Sequence, residues 1–307
     1  MIGIPVSGRI LNGNQIRDEI LVEVQREIAE LAHPPGLAAV LAGADPASEI
    51  YVRNKMKACE AVGIRSKTLR PAAGITTAEL LAIVGELNHD DNVDGILVQL
   101  PLPPQVDAQQ VLLAVDPAKD VDGFHPVNMG ALATGAPRLV PCTPAGLIEI
   151  LKRSYISIAG KHAVVIGRSN IVGKPAALLL LMENATVTIC HSRTADLPAV
   201  CRQADILVAA IGRGAMVTRD YIKPGAVVLD VGMNRLTDAA EVARAFSAHP
   251  AKIARFHEKG AALVGDVHPG DMEELSSAYT PVPGGVGPLT IAMLMKNTVR
   301  AAKLRRG

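Results

Sequence analysis

Apolar residues recur along this chain in two rhythms. Continuous apolar runs at 37–41 (LAAVL), 95–100 (GILVQL), 162–166 (HAVVI), 185–190, 205–211, 226–231 and 262–265 suit buried strands, and 65–69 suits a shorter one. Between them lie stretches with helical spacing. Residues 14–32 carry Ile16, Ile20, Leu21, Val24, Ile28 and Leu31 on one face, ended by Pro34-Pro35-Gly36. Asp45-Pro46 and Ser48 start a second helix, expected to run to Val62 and stop at Gly63. Thr76 or Thr77 caps a helix through Leu87, and further helices are expected over 106–115, 143–153 and 290–303. Strand then helix, repeated, predicts an α/β fold built on parallel sheets. Residues 116–141 are rich in Pro, Gly and Asp without periodicity, and 281–288 read PVPGGVGP, so both are expected as irregular loops.

Composition narrows this picture little but excludes several classes. At 307 residues there is room for one large or two ordinary domains. Aromatics make up only 2 % and Trp is absent, so the core must be aliphatic. A net charge of +1 makes no case for nucleic acid or an anionic membrane. No apolar run reaches the roughly 18 residues that cross a bilayer. The opening MIGIPVSGRI lacks a basic region followed by an apolar one, so no secretory signal is expected. Cys59, Cys142, Cys190 and Cys201 form no CxxC pair, which suits a reduced cytoplasmic protein without a metal site.

Candidate chemistry centres first on AVVIGRSNIVGKP (163–175). An apolar strand, a turn bearing Gly167 and Gly173, and a helix opened by Pro175 together form a phosphate-binding turn at a helix N-terminus. The pattern is G-x-S-x-x-x-G rather than G-x-G-x-x-G, so alone it also fits an ordinary α/β turn. The next strand ends in His191-Ser192-Arg193-Thr194 without the acid that holds the ribose of NAD. Ser192, Arg193 and Arg168 would instead grip a phosphate, favouring NADP, unless both arginines are solvated loop cations.

Tyr51 and Lys55 stand four apart and share a helix face; a lysine there is either a solvated charge or a buried proton carrier. Gln99 interrupts an apolar strand near its C-terminal end, where α/β folds bind ligands; its amide needs a partner, so it is either a satisfied core glutamine or a site residue, and its place favours the site. Asp120 and Asp122 in KDVDGFHP could close a turn, or one could take two N–H donors from a planar heterocycle. His125 beside them is read as structural. The glycines of PVPGGVGP bring bare backbone close to a flat ligand, or link rigidly to the last helix.

Seven stretches join these pieces: YVRNKMKACEAVGI (51–64), DGILVQLPLP (94–103), KDVDGFHPVNMGAL (119–132), PCTPAG (141–146), GKHAVVIGRSNIVGKP (160–175), VVLDVGMNR (227–235) and TPVPGGVGPLTIAML (280–294). Through them the chain resembles the bifunctional methylenetetrahydrofolate dehydrogenase/methenyltetrahydrofolate cyclohydrolase family, nearly end to end. The resemblance implies that Lys55 is the acid/base lysine, with Tyr51 lining the folate pocket, Gln99 bonding the lysine and Asp122 holding the pterin. It extends the substrate residues to Leu100, Pro101, Pro283, Gly284 and Gly285. It places Gly167, Arg168, Ser169, Ser192, Arg193 and Met233 on NADP, Met233 standing where the family usually has Ile. His268 stands where many relatives carry Asp, which leaves 266–280 open.

Two α/β domains are then expected, with the active site in the cleft between them: a folate-binding domain of 1–140 plus 283–307, and a Rossmann-like NADP-binding domain of 141–282. The resemblance also implies a homodimer, a folate substrate and no nucleic-acid or membrane partner. Two other readings remain at this point. One is a different NADP-dependent dehydrogenase with no use for Lys55; the other is a nucleotide-binding module without turnover.

Overall fold

A computed structural model describes residues 8–43 and 45–306; the segment 1–7, which bears on the reading of the N-terminus, lies outside them. The chain forms two compact units and passes between them after 16, 142 and 289.

The first unit comprises Arg17–Cys142 and Thr290–Gly307. In chain order, β1 (Arg9–Ile10) and the first turn of α1 (Gly13–Ala29) precede it, and β2 (Gly36–Val40), α2 (Pro46–Val62), β3 (Arg65–Leu69), α3 (Thr77–His89), β4 (Gly95–Val98), α4 (Ala108–Ala114) and α5 (Pro126–Ala133) follow. The three strands form a parallel sheet in the order β3-β2-β4, with β2 and β4 buried throughout. Local chemistry sets the helix ends. The Asp45 carboxylate accepts from the Ser48 N–H with Pro46 in the first turn, and Gly63 ends α2 at φ 88°. Thr76 and Glu79 close a reciprocal capping box on α3. Ile75, Leu80, Val84, Leu87, Val111 and Val115 pack from α3, α4 and their flanks onto Val40, Ile96 and Val98, giving the aliphatic core that the composition requires.

The segment 116–141 is less irregular than expected. It contains α5, capped by the His125 ring and opened by Pro126. Asp120 organises its approach, accepting from the N–H groups of Gly123 and His125 and from Asn128 Nδ2. Lys119 is buried too, with Nζ donating to the carbonyls of Leu87 and Asp90.

The second unit holds the described residues up to 16 together with Thr143–Leu289. Its elements are α6 (Cys142–Arg153), β5 (His162–Ile166), α7 (Gly173–Met182), β6 (Thr186–Cys190), α8 (Leu197–Cys201), β7 (Ile206–Ala209), β8 (Val227–Asp230), β9 (Asn234–Leu236), α9 (Ala239–Ala245), α10 (Pro250–Lys259), β10 (Ala262–Val264), α11 (Pro269–Leu275), β11 (Ala278–Tyr279) and the start of α12 (Val286–Arg306). Six strands form a parallel sheet in the order β1-β11-β8-β7-β5-β6. The strand order reverses at β5, which has β6 on one side and β7 on the other.

Three features differ from the sequence expectation. Residues 262–264 pair antiparallel with β9 in a separate ribbon rather than joining the parallel sheet. Residues 8–16 and 283–289 belong to the second unit and not to a folate domain of 1–140 plus 283–307, because β1 pairs with β11 and Gly13 N–H donates to the Gly284 carbonyl. The last helix begins at Val286, not 290: Pro288 falls in its first turn, where an N–H has no intrahelical partner to lose.

At the other end of α12, Arg305 Nη1 donates to the buried Asp94 carboxylate at 2.8 Å, and Arg306 also pairs with it. The other Asp94 oxygen accepts from Gly36 N–H at 2.8 Å, so the chain's last turn is tied to the edge of β2 and β4.

Candidate active site

One polar cluster lies in the first unit, where α2 passes the C-terminal end of β4. Lys55 is only 8 % exposed although it carries an ammonium group, and its Nζ donates to Gln99 Oε1 at 3.1 Å. Gln99 Nε2 donates to the Leu100 carbonyl at 2.7 Å, which fixes the amide so that its oxygen faces the lysine. Ser48 Oγ donates to Asp45 Oδ2 at 2.7 Å, securing the first turn of α2 from which Tyr51 and Lys55 project. Tyr51 is 40 % exposed, one turn before Lys55, and partial burial raises its phenol above the ordinary value.

Asp122 is half-buried. Burial pushes its carboxyl up to about 6; the Lys55 ammonium pulls in the opposite direction and Asp120 adds to the rise. Cys142 senses the same charges, and burial drives its thiol well above the usual range. Asn297 holds the backbone here, its Nδ2 donating at 2.8 Å to the carbonyls of Val121 and Val140. Lys55, Gln99 and Asp122 therefore come together, with Tyr51 on the same helix as Lys55. Leu100 contributes its backbone, and Pro101 is exposed beside it. The arrangement offers a desolvated amine held by a neutral amide, next to a carboxylate that can still ionise near neutral pH. Such a pair can move a proton and grip a polar heterocycle.

The second cluster lies in the other unit, at the C-terminal end of β5. Gly167 has φ 130°, and a Cβ there would lie 2.2 Å from the Ala210 carbonyl oxygen at the end of β7. A Cβ on Gly173 would lie 2.2 Å from the Gly167 carbonyl. Both positions must be glycine, and they sit where the strand order reverses and α/β sheets open a crevice. Ser169 Oγ accepts from the N–H groups of Val172 and Gly173 at 3.2 and 3.3 Å, so it caps α7 while keeping its own proton to donate.

Ile166 and Cys190 stand in register, so the turns after β5 and β6 leave the sheet at the same level. The second turn is braced by His191 N–H to Thr194 Oγ1 and Arg193 N–H to His191 Nδ1. Arg168, Ser192 and Arg193 are all exposed on these turns. Exposed Met233 follows β8, its Cε close to Gly287. Gly284 has φ 105°, and the Gly285 N–H donates to the Pro281 carbonyl, so 281–285 form a tight turn against Gly13 with Pro283 exposed.

Sequence reasoning missed one functional support. The buried Asp230 carboxylate accepts from the N–H groups of Gly232, Asp266 and Val267, and burial pushes it up to about 7. Asp266 in turn accepts from the N–H groups of Ile211, Gly212 and Arg213, which form the turn after β7. The signal was an acid at each end of VVLDVG and GDV, but their partners lie far apart in sequence. His268 caps α11 by accepting from the Asp271 N–H, a task that an Asp would also perform.

Among the described residues no group of three His, Cys, Asp or Glu could hold a metal, and no helix is long and apolar enough to cross a membrane.

Residues 141–306 match the model of the tetrahydrofolate dehydrogenase/cyclohydrolase NAD(P)-binding domain, and residues 11–122 that of its catalytic domain. A protein described as bifunctional protein FolD from Koribacter versatilis is 62 % identical over 301 residues, covering 97 % of this chain and 98 % of that protein. One from Solibacter usitatus is 61 % identical over 302 residues, with 97 % and 99 % covered. Among solved structures, the Trypanosoma brucei methylenetetrahydrofolate dehydrogenase-cyclohydrolase, complexed with NADP cofactor and inhibitor, matches with a TM-score of 0.86. It is 37 % identical, with 97 % of this chain and 98 % of that chain covered.

Proposed function

We infer the activity from one premise: this chain belongs to the tetrahydrofolate dehydrogenase/cyclohydrolase family. It oxidises 5,10-methylenetetrahydrofolate to the 5,10-methenyl form with NADP, and hydrolyses the methenyl form to 10-formyltetrahydrofolate. The observation that carries this reading is the buried Lys55 ammonium held by Gln99 next to Asp122.

The residues at the end of β5 suit NADP. The bare backbone of Gly167 and Gly173 leaves room for a diphosphate at the start of α7, and Arg168, Ser192 and Arg193 suit a ribose phosphate. Met233 would give the cofactor an apolar wall. When bound, NADP supplies the hydride acceptor. The protein's part in oxidation is to hold the folate in place. Asp122, as carboxylate, accepts two N–H groups of the pterin, while Tyr51, Leu100 and Pro101 line its faces. No strong base is needed, because nitrogen lone pairs stabilise the cation left behind. Hydrolysis asks more of the chain. Water adds to the amidine-like carbon, a proton leaves that water, and a ring nitrogen takes one as the ring opens. Lys55 can do both transfers, with Gln99 keeping its ammonium aimed.

Lys55→Met is therefore expected to lower hydrolysis by about 10²–10⁴-fold and hydride transfer much less. Formation of reduced nicotinamide from methylenetetrahydrofolate reads one step, and loss of methenyl absorbance without cofactor reads the other. Equal loss of both would contradict separate roles. We assign folate chemistry to the unit of 17–142 and 290–307, and NADP to that of 143–289.

The chain is further proposed to be a cytoplasmic homodimer. Four reduced, buried cysteines support the compartment. The dimer is supported by β6, an edge strand that carries exposed Ile189 and follows exposed Leu181 and Met182 at the end of α7, a surface that pairing with a second copy would cover. Light scattering on the purified chain tests it; a monomer at micromolar concentration would refute it.

A further inference from the structure

Asn297 sits where local packing calls for an apolar residue. It lies inside α12, on the face shared with buried Met293, Leu294 and Ala301, and is itself only 5 % exposed. Asn is a weaker helix former than any of these three, and a buried amide costs stability unless it is satisfied. A leucine would serve the helix better. The amide hydrogens go instead to main chain far away in sequence. Nδ2 donates at 2.8 Å to the Val121 carbonyl and at 2.8 Å to the Val140 carbonyl. Cys142 closes the same knot: its Sγ lies 3.5 Å from Asn297 Nδ2 and donates to the Val121 carbonyl at 3.3 Å. All of these residues belong to the first unit.

The Val121 carbonyl shares its peptide plane with the Asp122 nitrogen, so whatever fixes that oxygen fixes the direction from which Asp122 leaves the chain. The far side of Asp122 is pinned as well. Gly123 has φ 76°, and a Cβ there would lie 2.5 Å from both Pro141 N and the Val140 carbonyl carbon. The Asp120 carboxylate accepts from the N–H groups of Gly123 and His125. The Asp122 carboxylate is treated differently: among the described residues no group donates a hydrogen bond to it. Its aim therefore depends on the backbone that carries it, and that backbone is held by Asn297 and Cys142.

We propose that Asn297, together with Cys142, is a positioning residue for the folate substrate: it fixes the peptide before Asp122 and so aims the carboxylate at the pterin. This role rests on the assignment of Asp122 to the pterin given above. The amide touches no substrate. It presets the plane in which the two carboxylate oxygens meet two N–H donors, and paired contacts of that kind tolerate little rotation. Tilting this peptide weakens folate binding and leaves the steps after binding almost unchanged.

The test is a double-mutant cycle on the full chain. Binding of 5,10-methylenetetrahydrofolate is measured by calorimetric titration without cofactor, and kcat by the dehydrogenase assay. Asn297→Leu removes the donors and keeps an apolar side chain of similar length. Its Kd for the folate should rise about tenfold, with kcat changed less than about twofold and NADP affinity unchanged. Cys142→Ala is the milder change and should raise the same Kd about threefold, which keeps the test open if Asn297→Leu does not fold. Thermal melting checks each variant. Both changes are then repeated in Asp122→Ala, which has no carboxylate to aim. There each should alter the Kd by less than about twofold, because residues that act through one group are not additive. A full loss that persists in Asp122→Ala, or an unchanged Kd in folded Asn297→Leu or Cys142→Ala, overturns the positioning role and leaves the folate reading standing. An Asp122→Ala protein that binds the folate as the intact one does overturns the assignment of Asp122, and the positioning role with it.

Discussion

At the scale of single residues, the site depends on two groups kept away from their ordinary surroundings. Lys55 is buried, and its Nζ donates to the neutral Gln99 amide oxygen. Gln99→Leu removes that acceptor while keeping the apolar stem, so hydrolysis should fall by about 10²-fold with a smaller change in hydride transfer, read by the same pair of absorbance assays. Asp122 provides a pH signature. Its carboxyl, pushed by burial to about 6, must be ionised to accept two pterin N–H groups. As pH falls through 6 it takes up a proton, so kcat/KM for folate should drop on the acid side with a midpoint near 6. Asp122→Asn should abolish that limb and lower kcat/KM at pH 8. Stability runs the other way. A carboxyl raised above its free value costs folding energy when ionised, so this cost is present above pH 6 and vanishes once both states are protonated, below about 4. Asp122 weakens the fold at the pH where it holds the ligand.

At the scale of elements, the backbone contact of α7 with β5 leaves no room for a side chain. In Gly173→Ala the new Cβ must push α7 away from the Gly167 carbonyl. A loss of about 1–3 kcal/mol is expected, seen as a lower urea midpoint, with weaker NADP binding measured by titration. The sequence made this turn legible because its cues are local: an apolar strand with a glycine after it and another at the helix start. For the same reason β3 and β5 begin and end where read. Elements that depend on distant partners were not legible. Two-residue β1 and β11 are strands only because they pair with each other and with β8. Helix α5 hid among Pro, Gly and Asp, since it has two turns and its cap is a histidine. The start of α12 was obscured by residues that break helices in the interior and are tolerated in a first turn. In the site, Lys55 and Gln99 could be suspected individually, but the Asp230–Asp266 relay joins residues 36 apart and has no periodic trace.

At the scale of the whole molecule, the first unit is completed by the chain's last turn. Asp94 is fully buried, and the guanidinium partners of its carboxylate come from Arg305 and Arg306. Removing residues 305–307 should leave that carboxylate stranded and cost roughly 3 kcal/mol, visible as a lower melting temperature; restoring Arg305 alone should recover part of it. The unit is discontinuous, since 17–142 must wait for 290–307 while 143–289 is made between them. On the ribosome, the sheet beside the Lys55 helix therefore emerges early and stays without its closing helix until residues 290–307 have been made. The later-made neighbour has nearly all its chain available first, so the order of synthesis is the reverse of the order in which the two units can be finished.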